Sequence, residues 1–250
     1  MSIAVAVFGA AGRMGRQVCD AVEAAEGLEL VARVDVGEDP KLAVEAGARV
    51  AVDFTHPDAV LGNLEFCVRN GIHVVVGTSG FGPDKIEQVQ RLLAENPESG
   101  VGVLVAPNFS LGAVLMMKFA AQAAPYFESV EIVELHHPDK ADAPSGTALR
   151  TAQLIADART AAGTAPSPDA TVHDEGGHRG GKVQDVTIHS VRLRGLVAHQ
   201  EVLLGGVGET LTLRHDSLDR ASFMPGVVVG VREVAAHPGL TIGLEHYLSL

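Results

Sequence analysis

The start of the chain limits the fold most. Ile3 to Phe8 is a short, apolar, largely β-branched run of the kind that forms a strand buried on both faces. Gly9-Ala10-Ala11-Gly12-Arg13-Met14-Gly15 follows at once, and helical sequence continues from there through Ala25. Leu28 to Val34 reads as a second strand, closed by Asp35. Strand, glycine turn, helix and strand with a terminal acid form the unit that holds a dinucleotide. Here the glycines are spaced G-x-x-G-x-x-G. Gly9 allows the tight turn, Gly12 lets the backbone approach a pyrophosphate, and Gly15 lets the helix pack closely on the sheet. A carboxylate at Asp35 can accept hydrogen bonds from ribose hydroxyls and should repel a 2′-phosphate.

The alternation continues. Val50 to Phe54, His73 to Val76 and Val101 to Val105 read as strands, with helices at Asp58 to Arg69 and Asp84 to Glu95 between them. That order predicts an α/β fold, a Rossmann-type parallel sheet with helices on both faces. Ligands of such sheets bind at the carboxyl ends of the strands. The glycine loop, Asp35, Gly77-Thr78-Ser79 and Ala106-Pro107-Asn108-Phe109 all fall at such ends. Taken singly, the last two segments are ordinary turns.

Composition excludes several partners. The net charge of −12 argues against nucleic acid and anionic membranes. An anionic ligand must then be held by local positive features. Hydrophobic residues make up 46% of the chain and aromatics 4%, so the core must be built from Val, Leu, Ile and Ala. Cys19 and Cys67 read as two buried thiols, and His173, His178 and His189 fit no standard metal-ligand spacing, so no metal is expected. With no secretory signal and no apolar run long enough to span a bilayer, the expected location is the cytoplasm.

The densest chemistry lies in Glu134-Leu135-His136-His137-Pro138-Asp139-Lys140-Ala141-Asp142-Ala143-Pro144-Ser145-Gly146-Thr147-Ala148. Val130 to Leu135 reads as a strand and Ala148 to Ala158 as a helix. Between them stand two histidines able to exchange protons near neutral pH, a lysine, and a helix start whose N–H groups suit an anion. If the strand stayed extended, His136 and His137 would face opposite sides and so do different work.

This stretch resembles the signature of the 4-hydroxy-tetrahydrodipicolinate (dihydrodipicolinate) reductase family, Glu-(Leu/Ala)-His-His-x-x-Lys-x-Asp-Ala-Pro-Ser-Gly-Thr-Ala, at every fixed position. The resemblance covers nearly the whole chain, with residues 160–182 carrying little of it. It implies an NADH- or NADPH-dependent reductase of lysine and diaminopimelate synthesis. Water is lost from a dicarboxylate substrate, hydride adds at the ring's C4, and the enamine is protonated. By resemblance His136 is the proton donor and Lys140 a second donor or charge stabiliser. His137, Ser145, Gly146 and Thr147 hold the substrate. The cofactor meets Gly9, Ala10, Ala11, Gly12, Arg13, Met14, Asp35, Gly77, Thr78, Ser79, Ala106, Pro107, Asn108 and Phe109. Some members carry Arg after the acid, where this chain has Val36-Gly37, so NADH is expected to serve at least as well as NADPH. Arg13 or Arg16 remains within reach of a 2′-phosphate.

The family is typically tetrameric through the second sheet, so a homotetramer is expected. The resemblance also implies a discontinuous dinucleotide domain, residues 1–109 and 216–250. Residues 110–215 then form a smaller α+β domain for substrate and oligomerisation, and the two domains close on each other during turnover.

Ser110 to Ala123 reads as a helix and residues 160–182 as a long loop, either a lid or plain surface chain. Val183 to Leu193, Leu196 to Leu204 and Glu209 to Arg214 read as strands of a mixed, largely antiparallel sheet, and Ser217 to Ala236 as a helix. Arg220 and Phe223 either sit over a nicotinamide or simply pack. Two other functions stay open: a different reductase of a small dicarboxylate, and a nucleotide sensor without catalysis.

Overall fold

Valine-rich runs form the sheet that the alternating pattern calls for. A computed structural model describes residues 2–78 and 80–248. The chain divides into two units, one taking the residues up to Ser110 and again from Arg220, the other Leu111–Asp219.

In the first unit, β1 (Ile3–Phe8), β2 (Leu28–Val34), β3 (Val50–Asp53), β4 (His73–Val76), β5 (Gly102–Val105) and β11 (Gly239–Ile242) form a parallel sheet, ordered β11-β5-β4-β3-β1-β2. From β1 the chain moves one way to β2 and then back past β1 to β3, which makes β1 the switch point of the sheet. The register aligns the strand ends: Phe8 stands beside Val34 and Asp53, Asp53 beside Val76, and Val76 beside Val105. The next residue of each strand is still tied to its neighbour. Gly9 N–H donates to Val34 (2.8 Å), Phe54 to Phe8 (3.1 Å), Gly77 to Asp53 (2.9 Å) and Ala106 to Val76 (3.2 Å). One edge of the sheet thus collects the turns marked in the sequence.

The helices bury stripes at helical spacing. α1 (Arg13–Ala24) buries Gly15, Val18, Cys19 and Val22, and α3 (Val60–Arg69) buries Val60, Leu64, Cys67 and Val68. Each fully buried valine or leucine contributes about 1.5–3 kcal/mol, so these stripes, and not helix propensity, hold the layers. Both cysteines are free, and burial pushes the Cys67 thiol up to about 12, which leaves it inert. α2 (Lys41–Glu45) and α4 (Pro83–Glu95) complete the crossovers.

In the second unit, α5 (Leu111–Ala123) packs on α6 (Gly146–Ala161) and on the strand Glu209–Ser217. β6 (Ser129–His136) is the centre of a five-stranded sheet with β7 (Gly181–Val183), β8 (Val186–Arg192), β9 (Ala198–Gly206) and β10 (Glu209–Ser217), ordered β10-β9-β6-β8-β7. Only β6 and β8 run parallel; the other pairs are antiparallel. The buried Arg159 near the end of α6 donates to the carbonyls of Ala124, Phe127, Glu128 and Ala165. One guanidinium thereby closes the turn before β6 and secures the start of the long loop.

Three expectations change. The helix expected from Ser217 begins later, because Asp216 and Ser217 still pair with His199 and Ala198 in the β9–β10 ladder. A 3-10 turn (Arg220–Phe223) then leads into α7 (Met224–Glu233), with Pro225 in its first turn, where a missing N–H costs nothing. The long loop gives up its last residues to β7 and is tied to β6 by Arg179 on Glu131 (2.6 Å) and to Asp185 by the Ser167 N–H (3.0 Å). The short elements α2 and β11 carry too few residues to show a period.

Candidate active site

Each unit carries one part of the expected chemistry. In the first, the glycine loop closes on the end of β1. Gly9 has φ +78°, a left-handed conformation, and a Cβ there would lie 2.8 Å from the Phe54 carbonyl oxygen. A Cβ on Gly15 would lie 2.0 Å from the Gly9 oxygen, so helix and turn touch backbone to backbone. Gly12 is the N-cap of α1 and exposed, as are Ala11 and Arg13; Met14 is half-buried and Ala10 buried. Asp35 Oδ2 accepts the Ala11 N–H at 2.5 Å and Oδ1 accepts the Val36 N–H at 2.8 Å. The Val36 and Ala11 amides, helped by the charge of Arg16, hold this carboxyl below its ordinary range, so it is ionised at neutral pH. The Arg13 and Met14 amides in the first turn of α1, with an ionised acid at the next strand end, fit a dinucleotide's pyrophosphate and ribose.

The neighbouring turns are organised by Asp53, which the sequence reading passed over. It is 1% exposed. Its Oδ1 accepts the Thr55 N–H (2.9 Å) and the Thr55 and Thr78 hydroxyls (both 2.7 Å), and its Oδ2 accepts the Asn63 amide (2.8 Å). The Thr78 side chain is therefore committed to Asp53, which leaves its backbone and Gly77 as the parts that can meet a ligand. Ser79 lies outside the described residues. The Phe109 ring is buried against Phe54 (centroids 5.8 Å apart), and Asn108 Oδ1 accepts the Ser110 N–H at 2.7 Å. In that segment Pro107 is exposed, while Ala106 is buried and its N–H bonded to Val76. Arg220 is exposed and Phe223 half-buried at the N-cap of α7.

In the second unit the residues from Glu134 to Thr147 fold around one carboxylate. Residues two apart on a strand share a face, so Val130, Ile132, Glu134 and His136 point the same way from β6. Glu134 takes a core position and is fully buried. Its Oε2 lies 2.5 Å from His136 Nδ1, and its Oε1 accepts the Ser145 N–H at 3.2 Å. Arg192 stands beside His136 in the parallel β6–β8 ladder. Its guanidinium reaches back to both Glu134 oxygens, at 2.8 and 2.9 Å, and a third bond holds the Asp142 carbonyl at 2.6 Å. Burial works to raise the Glu134 pKa, but hydrogen bonds from Arg192, Ser190 and His136 outweigh it and keep the group a carboxylate. His136 moves down from the ordinary imidazole value. Burial is the main cause, and Lys140 and Arg192 add to it against the pull of Glu134.

β6 ends at His136. His137 opens a turn that brings back Lys140, whose N–H donates to the His137 carbonyl at 3.3 Å. Lys140 Nζ lies 2.7 Å from Asp142 Oδ1. Ser145 is the N-cap of α6: it has extended backbone, and its Oγ accepts the Ala148 N–H at 3.1 Å. The Gly146 and Thr147 amides follow in the first turn, where a helix has no carbonyl of its own to offer them. An imidazole, an ammonium and a helix start are thus gathered on one short segment, which can hold an anion and deliver a proton.

Comparison with known proteins finds matches along nearly the whole chain. Residues 3–109 match the family model for the N-terminus of dihydrodipicolinate reductase, and residues 112–248 match that for its C-terminus. The chain belongs to this family. It is 62% identical to the 4-hydroxy-tetrahydrodipicolinate reductase of Streptomyces avermitilis, with 98% of each chain covered, and 60% identical to that of Nocardia farcinica over 100% of both. A dipicolinate-bound dihydrodipicolinate reductase from Paenisporosarcina sp. TG-14 superposes with a TM-score of 0.85 at 39% identity, covering 99% of this chain and 100% of that one. A probable dehydrogenase from Thermotoga maritima, at 12% identity and a TM-score of 0.60, shares the fold alone.

As a dihydrodipicolinate reductase the chain is an oxidoreductase of diaminopimelate and lysine synthesis. It reduces a dicarboxylate, 4-hydroxy-tetrahydrodipicolinate, with a nicotinamide cofactor. No helix among the described residues is long and apolar enough to cross a membrane. Sequence reasoning quoted Glu134 as part of the reductase signature but gave it no role, and it passed over Arg192 and Asp53. Glu134 had a signal, since it stands two residues before His136 in a strand. Arg192 had none, because only the β6–β8 pairing brings it near.

Proposed function

We propose that the segment from His136 to Thr147 binds the substrate dicarboxylate and protonates the reduced ring. The carrying observation is that Glu134 bonds both His136 Nδ1 and the Ser145 N–H, so one buried carboxylate links the proton donor to the start of α6. One substrate carboxylate sits on the Gly146 and Thr147 amides, with the Ser145 hydroxyl free to donate its proton while it accepts from Ala148. Lys140 and His137 offset the remaining negative charge. This local positive set answers the chain's net charge of −12.

NADH or NADPH, held at Gly9 to Met14 and Asp35 with Gly77-Thr78 and Ala106 to Phe109 nearby, supplies the hydride. After water is lost and hydride reaches C4, His136 in its imidazolium form gives the Nε2 proton to the enamine carbon. Lys140 holds the developing charge. The unit that ends at Ser110 and resumes at Arg220, close to the expected 1–109 and 216–250, serves the dinucleotide, and Leu111–Asp219 serves the substrate. Asp35 without a following cation favours NADH, or its equal use with NADPH. The assembly is a homotetramer built on the second sheet, where Val133, Leu135, Val191 and Leu203 lie partly exposed on the face opposite Ile132 and Glu134. Its setting is the cytoplasm.

The test is an assay coupled to the upstream synthase product, with NADH and NADPH side by side. His136→Gln should lower kcat by ~10²–10⁴-fold, the usual worth of a general acid, and change KM far less. A near-wild-type kcat removes His136 from the donor role. A protein that binds NADH but never oxidises it would be a sensor.

A further inference from the structure

Nothing in the expected reaction calls for a buried acid behind the proton donor, yet Glu134 is completely buried and takes bonds on both oxygens from His136, Arg192 and Ser145. A buried charge is costly unless its partners are well placed. Four donor contacts from three elements suggest a working role. We propose that Glu134 is the positioning residue for His136: it holds the Nδ1–H, so that Nε2 is the ring nitrogen through which the proton passes, and Arg192 keeps Glu134 charged and correctly turned. This rests on the reading of His136 as proton donor.

The geometry sets the tautomer. An ionised carboxylate has no proton to give, so at 2.5 Å the proton between Glu134 Oε2 and His136 Nδ1 belongs to the ring. The neutral ring then has a bare Nε2, which can pick up the proton it later delivers. The imidazolium that results is stabilised by the same carboxylate, as in other His–carboxylate pairs. Arg192 grips Glu134 with two nitrogens and the Asp142 carbonyl with one of them. The carboxylate therefore cannot rotate away, and the turn carrying Lys140 is tied to the same fork. The charged groups facing the ring are Glu134 on β6, Arg192 on β8, and Lys140 with Asp142 on the turn.

Glu134→Gln tests this. The amide has one acceptor oxygen, and the Arg192 and Ser145 donors at the Oε1 position compete for it. Its NH₂ group is then left against His136 Nδ1, which forces the neutral ring to carry its proton on Nε2. In ¹⁵N-histidine-labelled enzyme, with the His136 signals assigned by their loss in His136→Gln, wild-type His136 should appear as the Nδ1–H tautomer. Glu134→Gln should switch it to Nε2–H and lower kcat by ~10²-fold or more with KM within ~3-fold.

The double variant Glu134→Gln/Arg192→Met removes the unpaired guanidinium and serves if the single variant does not fold. The wild-type spectrum is a test in either case. Wild-type His136 as Nε2–H, or a folded variant with kcat within ~3-fold of wild type and an unmoved pH profile, overturns the proposal. If His136→Gln keeps its kcat, it is the donor reading that fails, while the tautomer still reports on Glu134.

Discussion

Glu134 and His136 stand two residues apart on β6, and their side chains meet at 2.5 Å between Oε2 and Nδ1. Burial of the ring, reinforced by Lys140 and Arg192, nevertheless holds the imidazole below its ordinary pKa. The free enzyme at neutral pH therefore carries His136 mostly neutral. A general acid must be protonated, so kcat/KM should fall as pH rises through a value below ~6.5, the unperturbed histidine pKa. A bound dicarboxylate offsets Lys140 and Arg192 and pushes the ring back up, so kcat should start to fall at higher pH than kcat/KM does. Log kcat/KM and log kcat measured across pH 5–9 decide it; superimposable profiles, or a flat one, would count against His136.

Lys140 lies on Asp142 at 2.7 Å, within the turn that Arg192 ties down. If the ammonium meets a substrate carboxylate, Lys140→Ala should raise KM by ~10-fold or more as well as lowering kcat. His136→Gln should chiefly lower kcat. Steady-state kinetics of the two variants separates the roles.

Asp35 is ionised and followed by Val36, which is 99% exposed and offers no charge. Wild-type enzyme should use NADH at least as well as NADPH. Val36→Arg places a guanidinium where a 2′-phosphate would come and should raise kcat/KM for NADPH by roughly 10-fold relative to NADH, a change worth about 1.4 kcal/mol. A strong wild-type preference for NADPH would refute the charge argument.

Asp53 accepts four hydrogen bonds at 1% exposure. Asp53→Ala takes the acceptor from the Thr55 N–H and hydroxyl, and leaves the buried Thr78 hydroxyl and the half-buried Asn63 amide with only 3.4 Å contacts, to the residue-53 carbonyl and to Thr55 Oγ1. The cost should be about 2–4 kcal/mol, seen as a lower Tm. NADH affinity should fall as well, because the Phe54–Thr55 and Gly77–Thr78 turns lose their common anchor. Thermal unfolding and dinucleotide titration test both effects.

Much of this molecule could be read from the order of its residues. Local patterns act locally: valine runs buried on both faces can only be inner strands, Gly9 and Gly15 sit where backbones touch, and the His136–Thr147 segment is contiguous. These features need no knowledge of distant partners. What the folded chain alone decided is which remote groups act on them. Arg192 reaches Glu134 only because β6 and β8 run parallel with Arg192 beside His136. Asp53 gathers Thr55, Asn63 and Thr78 only once the strand ends align, and Arg159 closes on four carbonyls only after α6 packs. The physical reason is range. Periodicity and turn chemistry are short-range properties written along the chain, whereas the electrostatic surroundings of a proton donor depend on side chains that sheet register brings together from far apart.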